Sequence, residues 1–91
     1  METKDDTTNI VAKRLRQARK RAEISQEKLG VLAGIDEFSA SARINQYERG
    51  KHVPDLKTLE RLAEVLGTPA PYFYASDDAL AEYILNFKSQ K

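Results

Sequence analysis

Apolar residues recur along this chain at the three- and four-residue spacing of amphipathic helices, and no stretch alternates long enough to suggest a strand. The pattern predicts an all-α fold: a compact five-helix domain at residues 9–75, a flexible segment at residues 1–8 before it, and an amphipathic helix at residues 76–91 after it. Five of the six predicted helices begin at a residue whose side chain can accept from free backbone N–H groups. These predicted caps are Asn9, Ser25, Ser39, Asp55, and either Ser76 or Asp77. The remaining helix, a short one at Thr68–Tyr74, is expected to insert Tyr72 or Phe73 into the core.

Two helices in the middle of the chain stand out. The second begins at Ser25 and ends at Gly34, a residue suited to the left-handed conformation that closes helices. The third follows a short link at Ile35–Phe38 and places Ala40, Ile44 and Tyr47 on one side. We expect that side to face the core.

The opposite side of the third helix carries residues that a core does not need. Ser39, Ala42, Gln46 and Arg49 lie there, flanked by Arg43 and Asn45. Arginine can pair with guanine, asparagine and glutamine can pair with adenine, and a small residue can approach a thymine methyl group. These residue types suit the base edges in the major groove of DNA, although a solvated helix face is the alternative for each one taken singly.

The segments SQEKLG and INQYERGKHVPDLKTLERLAEVLG resemble the lambda-repressor-like helix-turn-helix family of the Xre/Cro type. The resemblance covers approximately Ile10–Tyr74. It implies a DNA-binding fold in which the third helix is the recognition helix. It further implies that Gln26, at the start of the second helix, contacts a phosphate and braces the recognition helix.

The chain departs from the family pattern at two places. Gly30 stands where the family usually has alanine, and about four extra residues separate Gly34 from Ile44. If the extra residues lengthen the loop, Ser39 caps the third helix and the base-contacting set stands. If they add a turn to the helix, Asp36 becomes its cap, and Phe38 and Ser39 move toward the DNA. We favour the longer loop.

Composition narrows the class of protein. Ninety-one residues allow one domain, and 41% apolar with 32% charged residues suits a small helical bundle. No apolar run approaches the ~20 residues that span a bilayer, so a cytoplasmic protein is expected. The chain has no cysteine and one histidine, His52, and shows no spacing of metal ligands. We therefore expect no cofactor, no metal and no catalytic activity.

The net charge of +1 hides an uneven distribution, because basic residues crowd the first helix and the recognition region. The residues expected to contact phosphates are Gln26, Ser25, Lys51, His52 and Arg14. For His52, plain surface is the alternative. Some basic residues of the first helix are expected to pair with acids elsewhere in the bundle. Glu48 is expected to have a structural role, accepting from backbone N–H groups of the next bend.

The last helix carries an apolar stripe beyond the part that resembles the family. Its members are Leu80, Tyr83, Ile84 and Phe87. A small protein that exposes such a face needs a partner for it. We expect a homodimer that binds double-stranded DNA as a transcriptional regulator, and more specifically as a repressor on a near-palindromic operator. The alternative is an antitoxin or protein-interaction module that binds a partner protein through this helix.

Overall fold

The computed structural model describes the backbone of residues 6–87 and the side chains of residues 10–87, and within this range it is entirely helical. The elements in chain order are α1 (Asp6–Ala22), α2 (Gln26–Leu32), α3 (Glu37–Glu48), α4 (Leu56–Leu66), a short 3₁₀ helix (Ala70–Tyr74) and α5 (Asp78–Asn86). The all-α prediction is confirmed, with each predicted element present.

Three predicted caps are confirmed by hydrogen bonds to their own helices. Ser25 Oγ accepts from the backbone N–H of Lys28 at 3.0 Å. Asp55 does the same for α4, and Asp77 rather than Ser76 does so for α5. The side-chain oxygen replaces a carbonyl that the first turn lacks, so these helix starts are set locally.

The prediction for the start of α1 is wrong. The helix begins at Asp6, three residues before Asn9, so Asn9 lies inside the helix. Residues 6–8, predicted to be a flexible segment, form the first turn of α1. The remainder of that segment, residues 1–5, and the last four residues of the predicted C-terminal element lie outside the described residues.

The core lies where the inward faces of the helices meet around α1. Its largest fully buried side chains are Tyr72, Phe73, Leu15, Leu29, Ile44, Leu59, Leu62 and Val11. The 3₁₀ helix buries both Tyr72 and Phe73, whereas the sequence predicted one or the other. Leu32 and Leu56 lie three residues from the buried Leu29 and Leu59, at the spacing of one helix face, yet both are more than half exposed. They lie at the edge of their apolar stripes, where no neighbouring helix covers them.

No helix among residues 6–87 combines the length and the apolar character needed to cross a membrane.

Candidate nucleic-acid interface

The recognition helix α3 begins earlier than predicted. Asp36, not Ser39, is its cap, and Asp36 Oδ2 accepts from the N–H of Phe38 at 3.0 Å. Helix α2 closes at Gly34, whose φ is +94°, and the N–H of Ile35 donates to the Gly30 carbonyl at 2.9 Å. Because the bond from Ile35 closes α2, only one residue lies between Gly34 and Asp36, and Asp36 begins the next helix. The extra residues therefore lengthen α3, and the longer loop that we favoured is wrong.

The inward side of α3 packs on α2 at very short range. Ala40, Ile44 and Tyr47 are buried, as predicted. A methyl group placed on Gly30 would lie 2.7 Å from Ala40 Cβ and 3.0 Å from the Ala40 carbonyl oxygen. Such distances are shorter than carbon atoms tolerate, so an alanine does not fit at position 30 while α3 keeps its place. The departure from the family pattern at Gly30 thus has a steric reason.

The outward side of α3 presents the predicted base-contacting residues together. Ala42, Arg43 and Arg49 are exposed, and Ser39, Asn45 and Gln46 are half-buried. Phe38, which the alternative of an added turn moved toward the DNA, is exposed in the first turn of the longer helix. Ser41, which the prediction did not include, is exposed as well. Counting 100° per residue from Phe38 would have aligned it with Ala42, Asn45 and Arg49.

A hydrogen-bonded network fixes α3 against α1 and α2. Arg19 Nε donates to Glu48 Oε2 at 2.6 Å and its Nη2 donates to Oε1 at 3.1 Å. Gln26 Nε2 donates to both Glu48 Oε1, at 3.2 Å, and Asn45 Oδ1, at 3.3 Å. The Glu48 side chain is only 4% exposed, and its hydrogen bond raises the pKa of Arg19 above the usual value.

This network answers two expectations. Glu48 is structural, but its partners are side chains of α1 and α2 rather than backbone N–H groups. Gln26 touches the recognition helix directly, as the bracing role implies, and its contact with Asn45 orients a residue of the outward face. Paired bonds from a planar guanidinium to a carboxylate are among the most directional in proteins, so they hold α3 in one orientation.

The predicted phosphate contacts fall into separate places. Ser25 and Gln26 lie together at the start of α2, while Lys51 and His52 are exposed just after α3. His52 lines a shallow surface pocket with three residues of α3, Arg43, Gln46 and Tyr47. The structure therefore brings His52 next to the candidate base-contacting face.

Arg14 is not available for a phosphate, so that prediction is corrected. The residue is only 2% exposed. Its Nε and Nη2 donate to the Ala75 carbonyl at 2.9 and 2.7 Å, and Nη2 also donates to Asp78 Oδ1 at 3.0 Å. The guanidinium carbon lies 5.6 Å from the centroid of the Tyr72 ring. Arg14 thus joins α1 to the junction between the 3₁₀ helix and α5.

The C-terminal apolar stripe is exposed over most of its length. Leu80, Tyr83 and Phe87 are each at least half exposed, and Ile84 is half-buried. Leu80 and Ile84 form one wall of an apolar groove whose other wall includes Leu56 and Tyr74. The sequence pattern predicted the apolar stripe of the last helix but not this groove.

Within residues 10–87, no three histidine, aspartate or glutamate side chains come close enough to form a candidate metal site.

Comparison with known proteins identifies the family. Residues 10–71 match the model of a helix-turn-helix domain. This chain belongs to that helix-turn-helix family. The resemblance found in the sequence is thereby confirmed, and the matched segment contains α2, α3 and the network that joins them to α1.

A solved structure of the transcriptional regulator BswR is similar to this helix-turn-helix chain in both sequence and fold. The two are 57% identical, the match covers 81% of this chain and 73% of the BswR chain, and the TM-score is 0.78. A search of the curated proteins found no significant match.

Proposed function

We propose that this chain is a sequence-specific transcriptional regulator that inserts α3 into the major groove of double-stranded DNA. The observation that supports this most directly is the outward face of α3. It presents polar side chains on one surface of a helix that the contacts of Gln26 and Arg19 hold in place. The similarity to BswR, a transcriptional regulator, supports the same class of function.

The proposed contacts follow from the position of each side chain. Residues of the outward face contact base edges, where each well-made hydrogen-bonded pair discriminates by about 1–3 kcal/mol. These residues are Ser39, Ala42, Arg43, Asn45, Gln46 and Arg49. Ser25 and Gln26 at the start of α2, and Lys51 and His52 after the end of α3, contact phosphates, which position the helix without selecting a sequence. Gln26 does so through its backbone N–H, since its Nε2 hydrogens are donated to Glu48 and Asn45.

We further propose that the protein acts as a homodimer and as a repressor. The stripe of Leu80, Tyr83, Ile84 and Phe87, together with the groove wall at Leu56, is the proposed dimer interface. A two-fold dimer would set two copies of α3 into successive major grooves about 34 Å apart on a near-palindromic operator. Occupancy of a promoter by such a dimer would block polymerase.

The test is selection of bound sequences from a random pool of DNA duplexes, with the mass of the protein in solution measured at the same salt concentration. We expect an enriched palindrome with half-sites one helical turn apart, and a dimeric mass. No enrichment of any sequence would overturn the proposal of a sequence-specific regulator.

Two substitutions separate base contacts from phosphate contacts on the selected operator. Gln46→Ala should relax preference at one base pair by about 1–3 kcal/mol, whereas Lys51→Ala should weaken binding to all sequences alike and lower the salt dependence by about one counterion. Lys13→Ala is the matched control for lost charge, because the Lys13 ammonium lies 3.4 Å from Asp78 of α5. Identical behaviour of all three variants would contradict the assignment.

The exposed groove favours one second candidate, a module that binds a different protein through α5. Leu80→Glu tests it against the dimer, with Leu32→Glu as a control of similar exposure on α2. If the wild type is a dimer, Leu80→Glu should give monomers and Leu32→Glu should not. A wild-type chain that is monomeric or aggregates in isolation would favour the protein partner.

A further inference from the structure

Phe38 is the most exposed large hydrophobic residue of the described chain. Its side chain is 95% exposed, compared with 66% for Tyr83 and 60% for Phe87 on α5. A single exposed apolar residue is common on protein surfaces and by itself indicates nothing. The position of Phe38 is what distinguishes it, because it lies in the first turn of the recognition helix.

The cap of α3 fixes where this ring is presented. Asp36 accepts from the N–H of Phe38 itself, so the backbone that carries the ring is the anchored start of the helix. Four residues later Ala42 follows on the same face, also exposed, and Asn45 and Arg49 continue the line. Phe38 and Ala42 thus form an apolar strip at the N-terminal end of an otherwise polar face.

The side chains at this end of α3 exclude a phosphate as the partner of the Phe38 ring. Phenylalanine has no donor for a phosphate oxygen. The two residues before it, Asp36 and Glu37, are exposed acids that repel the DNA backbone. Phe38 is also not among the residues that line the apolar groove at α5.

The floor of the major groove offers one prominent apolar group, the C5 methyl of thymine. Helix-turn-helix proteins place the N-terminal residues of the recognition helix against base edges. We infer that Phe38, together with Ala42, contacts the C5 methyl group of a thymine in each half-site and so selects T·A over C·G at that base pair. This inference rests on the proposed function, since it requires α3 to lie in the major groove.

The experiment removes the methyl group and the ring separately and together. Each thymine of the selected operator is replaced in turn by deoxyuridine, which differs only by the missing methyl, and affinity is measured for wild type and Phe38→Ala. At one position per half-site, deoxyuridine should weaken wild-type binding about fourfold, as expected for one methyl group returned to water. Phe38→Ala should bind the thymine operator more weakly and show no further loss with deoxyuridine.

Two controls keep the outcome specific. Leu32→Ala also removes exposed apolar surface, but from α2, and it should retain the full loss on deoxyuridine. Phe38→Leu keeps an apolar group and should retain part of that loss. Because the ring is exposed, the thermal midpoint of Phe38→Ala should match the wild type.

The outcomes separate this inference from the proposed function. If Phe38→Ala selects the same operator and responds to deoxyuridine as the wild type does, the contact is refuted while the regulator proposal stands. The same holds if no thymine of a selected operator responds to loss of its methyl. If the wild type enriches no sequence, both are overturned.

Discussion

Two arginines of α1, Arg14 and Arg19, and the two arginines at the outward side of α3 have opposite surroundings, although the sequence presents both helices as clusters of positive charge. Arg14 is buried and Arg19 has a side chain only 15% exposed, and each is hydrogen-bonded to other elements of the fold. Arg43 and Arg49 are exposed, and neither forms an ion pair with another residue in the described part of the chain. The number of basic residues in α1 therefore overstates how much positive charge that helix presents at its surface.

The difference arises from where each helix sits. Helix α1 packs against α3, α4 and the 3₁₀ helix. Arg14 therefore meets the Ala75 carbonyl, just after the 3₁₀ helix, and Arg19 meets the Glu48 carboxylate of α3. Helix α3 packs with one side only, and its other side meets solvent. Arginine therefore stabilises the fold at positions 14 and 19 of α1, whereas Arg43 and Arg49 are exposed to solvent.

The largest effect that would test this contrast is expected from Arg14→Ala. The substitution leaves the buried Ala75 carbonyl without its donor and removes the tie from α1 to α5, so the free energy of unfolding should fall by about 3 kcal/mol. Urea denaturation would measure it. Arg16→Ala, an exposed arginine of the same helix, should change stability by less than about 0.5 kcal/mol. Equal denaturation midpoints for the two variants would contradict a structural role for Arg14.

A smaller loss is expected from Glu48→Gln, which breaks the link between the two regions. The neutral amide cannot match the paired, charge-assisted bonds from Arg19, and we expect a loss of about 2 kcal/mol in stability. Glu60→Gln on the exposed side of α4 is the matched control, with little change expected. Because the same carboxylate also accepts from Gln26, the substitution weakens the second contact that holds α3, and operator affinity should fall for all sequences alike. Unchanged stability would show that the network does not hold α3.

Arg43→Ala should show the reverse profile of Arg14→Ala. Stability should stay within about 0.5 kcal/mol of the wild type, since the side chain is exposed. Affinity for the selected operator should fall about tenfold, with the loss concentrated at one base pair. Competition binding against single-base operator variants measures it, with Arg16→Ala as the common control. A loss of stability without a change in base preference would place Arg43 with the structural arginines.

The smallest effect concerns acid sensitivity. Hydrogen bonds from Arg14 and Lys13 hold the pKa of Asp78 below its usual value. A carboxyl group whose pKa is lower in the folded state stabilises the fold above its unfolded pKa of about 3.9, and this stabilisation disappears as pH falls through the folded pKa. Asp78→Asn should therefore be less stable than wild type near about pH 6, and the difference should vanish at lower pH. Denaturation midpoints of the wild type and Asp78→Asn, measured from about pH 6 downward, test this prediction. A difference between the two proteins that stays constant with pH would contradict it.

Local chemistry explains which features could be predicted from the sequence. Ser25, Asp55 and Asp77 were correct caps because each acts on N–H groups two or three residues away. The same reasoning failed at Asn9 and Ser39, where an earlier residue begins the helix. The capping preferences of Asp36 and Ser39 are similar, so residue type alone does not show which of them begins α3. The early end of α2 leaves Asp36 as the first residue that can do so.

Features that depend on distant parts of the chain could not be predicted. Arg14 meets a carbonyl 61 residues away, and no spacing in the sequence indicates that contact. Periodicity placed Leu56 on an apolar stripe but gave no information on which part of the stripe a neighbour covers. The groove at α5 depends on the same information, the packing of elements far apart in sequence.

The close contact between Gly30 and Ala40 has a consequence for protein engineering. Specificity is commonly altered by transplanting a recognition helix from one regulator into another. Here an extended α3 lies against a backbone with no side chain, so α2 and α3 must be transferred as one cassette. This α3, placed on a scaffold with alanine at position 30, would be pushed away from α2, and its outward side would no longer have the same orientation.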